Sequence, residues 1–200
     1  MNFFNLLNQN IFSVNFYVNL AVLILAETSI IIWRSSLKKI ASRVFLYSGG
    51  FVFAYLIYIS FLQYRAFQSG ALSFIIGTGK GIQWFFSYIF FHYWDDYLIS
   101  LSAAVIFLLV ARYFNKKYEE RFFETEELWL AATGIFLVGY PAWLFYLVIV
   151  LLLSAIVSAI FMKKGERLPL YHFWIPTAIV ILVAVQFWAE KQVWWLSFRF

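Results

Sequence analysis

The stretch Arg112-Tyr-Phe-Asn-Lys-Lys-Tyr-Glu-Glu-Arg-Phe-Phe-Glu-Thr-Glu-Glu-Leu-Trp-Leu-Ala-Ala-Thr-Gly134 decides how this chain folds. An apolar run to Met162 follows it, and then Lys163-Lys-Gly-Glu-Arg-Leu-Pro-Leu-Tyr-His-Phe-Trp-Ile-Pro176. Lys116, Lys117, Glu119, Glu120, Arg121, Glu124, Glu126 and Glu127 place eight of the 25 charged residues within twelve positions. Hydrocarbon cannot hydrate such a loop, so between apolar flanks it belongs in water at a membrane face. Any chemistry of the chain is expected there.

Composition supports the same class. The 200 residues are 64% hydrophobic and 12% charged, with a mean hydropathy of +0.81. A soluble domain carries roughly twice that charge. The expectation is an all-α, polytopic transmembrane helix bundle of about six or seven spans, forming one integral-membrane domain over residues 1–200. With no cysteine there are no disulfides, thiolate zinc sites or cysteine nucleophiles. The net charge of +5 is read as helix-orienting Lys and Arg that also attract anionic headgroups, with no nucleic-acid partner. The start lacks a basic n-region, so no cleavable signal peptide is expected.

The spans read as residues 17–33, 44–62, 71–91, 98–114, a short 128–139, 142–162 and 171–189. Ser48-Gly49-Gly50 offers small residues for close helix packing. Gly139-Tyr-Pro141 turns the chain back between 128–139 and 142–162 as a helical hairpin. The tail from Glu190, with Trp194, Trp195 and Arg199, reads as an interfacial anchor.

Several residues stand out as candidate sites. Glu27 is the one acidic residue well inside a span, where a carboxylate needs a role or a partner, and it is expected to face protein. Gly77-Thr-Gly-Lys80-Gly81 lacks the spacing of a phosphate loop and reads as a kink or a broken helix, with Lys80 snorkelling or pairing with Glu27. Phe90-Phe-His92-Tyr-Trp94-Asp95-Asp96-Tyr97 marks a membrane interface. His92 with Asp95 and Asp96 has the helical spacing of a metal site but few donors, so no metal and no other cofactor is assigned. Asp95 and Asp96, as neighbours, point to different sides of a helix, which argues against an aspartic dyad.

Residues 96–200 resemble the membrane core of the prepilin peptidases, the type IV leader peptidases of the GxGD aspartic class. The resemblance runs through Glu126-Glu-Leu-Trp-Leu-Ala-Ala-Thr-Gly134, Gly139-Tyr-Pro141 and Lys163-Lys-Gly-Glu-Arg-Leu-Pro-Leu-Tyr-His-Phe173. It implies the family's fold in a bacterial inner membrane, with catalytic loops over 63–70, 114–127 and 163–169. The family's two catalytic aspartates fall on Leu62 and Glu126, and Phe123 and Thr125 replace its two glycines. Two carboxyls must share a proton in that chemistry, and leucine supplies none. The resemblance therefore implies a catalytically inactive scaffold, in which Leu62 and Glu126 still lie at one face within about 12 Å.

Glu126 and Glu127 complete the candidate polar site, with Glu126 partly solvated and capped by Lys116, Lys117 or Arg121. An alternative is a small structural or accessory subunit of a larger membrane complex. A third is an active peptidase pairing Glu126 with Asp95 or Asp96, opposed by some 25 Å along the intervening span. The expected partners are membrane lipid and another membrane protein, and an oligomer is compatible. With seven spans the cations split seven to six between the faces, which leaves orientation nearly unbiased.

Overall fold

Long runs of Leu, Ile, Val and Phe become helices here because an apolar surround offers backbone amides no partner except their own chain. The computed structural model describes residues 3–69, 78–118, 123–161 and 170–188, and these are all-helical, without strands. The helices are α1 (Phe3–Ile32), α2 (Leu37–Ser69), α3 (Gly79–Ile89), α4 (Asp95–Lys117), α5 (Thr125–Val138), α6 (Ala142–Phe161) and α7 (Tyr171–Phe187). A 3-10 turn, Arg34–Ser36, joins α1 to α2, and a π-turn, Phe90–Trp94, joins α3 to α4 without a break.

Among the described residues, four helical stretches are long and apolar enough to cross a membrane: Val14–Ile32, Arg34–Ser69, Gly79–Lys117 and Ala142–Ile160. Tyr171–Phe187 is a shorter apolar helix. Exposed Leu25, Tyr47, Phe61, Phe91, Leu109 and Ile160 give the bundle an apolar exterior, compatible with an integral membrane protein.

The core is built around α5. Twelve of its 14 residues are buried, and it packs against α1, α2, α4, α6 and α7. Phe45 meets Trp129 at 5.6 Å between ring centroids, and Phe53 stacks on Phe136 at 6.5 Å, so α5 runs in the same direction as α2. The α5–α6 hairpin forms as the sequence suggests. Its turn holds Gly139 at φ 82°, ψ 168°, a backbone region open essentially to glycine alone.

Two expectations change. The cluster at 90–97 does not end a span, because the π-turn absorbs one extra residue and the helix continues from 79 to 117. The described residues flanking each later loop therefore lie at the opposite end of the bundle from that expected. Thr78 caps α3, its Oγ1 accepting from the Gly81 amide at 3.1 Å, so Gly79-Lys-Gly81 begins a helix. Gly49 and Gly50 have open space where a Cβ would sit, so they face outward and no helix packs on them. Residues 71–77, 119–122, 162–169 and the anchor from 190 lie outside the described residues.

Both ends of the bundle can be traced from side-chain ties. At the basal end Arg34 donates to the Tyr171 hydroxyl at 2.9 Å, which brings the α1–α2 turn beside the start of α7. At the apical end Trp94 Nε1 donates to Ser60 at 3.1 Å, and Phe67 packs on Trp84, Phe85 and Tyr88. Among the described residues, Arg34, Lys38, Lys39, Arg43, Arg112, Lys116 and Lys117 belong to the basal end. Arg65 and Lys80 belong to the apical end. The described cations thus stand seven against two.

Candidate functional site

At the basal end, polar side chains close the loop before α5. Asn115, buried near the end of α4, clamps one residue of that loop: its Nδ2 donates to the Phe123 carbonyl at 2.6 Å and its Oδ1 accepts from the Phe123 amide at 3.1 Å. Glu127, 2% exposed, accepts from two backbone amides with its two oxygens. Oε2 takes the Glu124 N–H at 3.0 Å and Oε1 takes the Leu170 N–H. Glu124 precedes α5 and Leu170 precedes α7, so one carboxylate caps two helices, each at its positive end. The Arg112 guanidinium covers the Trp129 ring at 4.5 Å, closing the outer side of α5.

Glu126 behaves differently from its neighbour. It is 7% exposed and its Oε2 is buried without a hydrogen-bond partner among the described residues, so it is not the partly solvated carboxyl expected; Arg121, one of its expected caps, lies outside the described residues. Leu62 lies far from it. Trp129 packs on Phe45, and Leu62 is seventeen residues further along α2, about 26 Å at 1.5 Å per residue. Glu126 precedes Trp129 by three residues, which lengthens the separation. The two positions occupy opposite ends of the bundle, and the one-face arrangement implied by the resemblance is not formed. The cause is the continuous helix from 79 to 117: loop 115–124 returns to the side of Arg34, away from residues 63–69.

The apical end holds a cavity of about 80 Å³ lined by Asn15, Asn19, His92, Asp96, Tyr97 and Gln186, among others. Tyr97 donates to Asn19 Oδ1 at 3.1 Å and Tyr55 to Asn15 Oδ1 at 2.8 Å, while Gln63 Nε2 donates to the Tyr93 hydroxyl. These bonds tie α1 to α4 and α2, and α2 to the π-turn. His92 and Asp96 share the cavity, but the Asp95 carboxylate turns to the Asp96 amide at 2.8 Å. Among the described residues no three His, Cys, Asp or Glu side chains come together as a metal site. Lys80, at the apical start of α3, is remote from Glu27 near the basal end of α1, so that pair does not form.

Asn115, Asn19 with Tyr97, and Arg34 with Tyr171 escaped the sequence reading. The available signal was amide residues inside apolar helices, each of which needs a partner when buried.

No family model matches the chain, and no curated protein or solved structure shows significant similarity to it. What can be said of the class is therefore what the fold says: an all-helical bundle with four helices able to cross a bilayer.

Proposed function

We propose that this chain is a non-catalytic helical subunit of a membrane complex, a scaffold that holds a transmembrane partner. The observation that carries it is how the polar groups around α5 are used. Asn115, Glu127, Arg34 and the Asn19–Tyr97 pair are all spent on ties between elements of the bundle. A helical frame with tied ends and an apolar exterior suits holding a neighbour better than turning over a substrate. In this proposal the chain crosses the bilayer six times, with α5 and α7 as the two short crossings. By the excess of positive charge, the basal end lies in the cytoplasm.

Purified from its native membrane in mild detergent, the protein should run with a second protein in fixed stoichiometry. A chain recovered only as a monodisperse monomer would overturn the proposal.

Orientation is tested separately, and the absence of cysteine makes the test simple. In intact cells, a membrane-impermeant maleimide should label Ser69→Cys and leave Ser36→Cys unlabelled until the membrane is permeabilised. The reverse pattern would place the seven cations outside.

A further inference from the structure

Glu27 is the one carboxyl within the apolar window Val14–Ile32, which contains no Lys or Arg. On its inward side Leu23 and Ile30 are 0% and 5% exposed; on its outward side Ile24 and Ile31 are 48% and 65% exposed. The half-buried Glu27 therefore stands on the seam between the core and the lipid-facing surface. Its Oε2 is shut away from the surface and has no hydrogen-bond partner, and no ion pair reaches it among the described residues. The polar partner expected within the chain is not found among the described residues. Arg34, the next cation along the chain, turns to Tyr171 at 2.9 Å and lies 3.4 Å from His172. Thr28 and Ser29 both donate back to the Leu25 carbonyl, so neither serves the carboxyl.

An acid in this position is costly to keep in hydrocarbon unless a group of opposite charge meets it. An apolar helix laid against it would leave that cost in place, whereas a cationic side chain would remove it. The surrounding seam has the shape for a helix. Tyr17, Leu20, Ile24, Glu27 and Ile31 recur at spacings of three and four, the repeat of left-handed helix packing, over about 21 Å of α1.

We propose that Glu27 anchors a partner's transmembrane helix bearing a lysine or arginine at the same depth, laid along this seam. The proposal rests on the subunit function above and names the chemistry of the partner.

The test uses the full chain in nanodiscs of phosphatidylcholine and phosphatidylglycerol, with dye-labelled Leu/Ala model helices. One helix carries a Lys at the depth of Glu27, one carries Leu there, and one carries the Lys in the opposite leaflet. Energy transfer should report about tenfold tighter association for the depth-matched Lys helix than for either control. Glu27→Leu should abolish that preference with unchanged circular dichroism, because no bond within the chain is lost. Glu27→Lys should restore it toward a helix carrying Glu. Equal binding of all three helices, or a preference that survives Glu27→Leu, would overturn the anchor. So would self-association of the chain that Glu27→Leu removes, since a second copy would then satisfy the carboxyl. Undiscriminating helices beside an intact native complex would sink the anchor alone; absence of any native complex would sink both proposals.

Discussion

Gly134→Ala is expected to lower the stability of the bundle by about 3 kcal/mol, the upper end of the range for overpacking a core. A Cβ at position 134 would run into the hydroxyl and ring of Tyr146. That ring has nowhere to go. Tyr146 is fully buried, its hydroxyl donates to the Trp174 carbonyl at 3.1 Å, and Trp174 is itself fully buried between Phe107 and Phe123. The measurement is thermal unfolding in detergent, followed by tryptophan fluorescence, with Tyr146→Leu as the second change. Leucine lacks the atoms that collide, so the double variant should be more stable than Gly134→Ala alone. A Gly134→Ala protein that melts like the parent would mean the α5–α6 contact is looser than described.

Glu127→Ala should cost a comparable amount, roughly 3–5 kcal/mol, because it removes a charged acceptor from two backbone amides and leaves both without it. Glu127→Gln keeps one acceptor oxygen but turns an NH2 toward the other donor, so it should fall between alanine and the parent. The neighbouring substitution supplies the contrast. Glu126 has a buried oxygen with no partner, so Glu126→Ala relieves a desolvated group and should be neutral or stabilising. Denaturant unfolding of the three variants side by side decides the matter. If Glu126→Ala is the more damaging change, the roles assigned to the two carboxylates are reversed.

The difference between these neighbours could not be seen in the sequence, where Glu126-Glu127 is simply an acidic pair opening a helix. Which one reaches Leu170 depends on where α7 begins against α5, a contact across 43 positions. The helices themselves were largely legible. Runs such as 142–161 are too apolar to be anything else, and Gly139-Tyr-Pro141 marks a reversal by its turn chemistry. What misled was the aromatic and acidic run at 90–97. Trp, Tyr and Asp at that density usually mark headgroup depth, and hydropathy cannot distinguish a helix that stops there from one that passes through a π-turn. That continuous helix then reversed the end at which the described residues flanking each later loop lie. It separated Leu62 from Glu126 and concealed the charge asymmetry that the described cations display once grouped by the ends of the bundle.

The burial of α5 also bears on how the protein is made. At 14 residues it measures about 21 Å, well short of the roughly 30 Å of bilayer hydrocarbon, and its N-terminal turn carries two acids. An insertion machinery that samples segments singly has little reason to accept it. The neighbouring α6, at 20 residues and strongly apolar, is a far better insertion signal. On the six-crossing topology proposed above, α5 is expected to enter only once α6 has emerged, the two going in together as a pair closed by Gly139. Until that moment α1, α2 and α4 surround an unfilled centre, so the chain from Thr125 onward completes the interior that residues before it enclose.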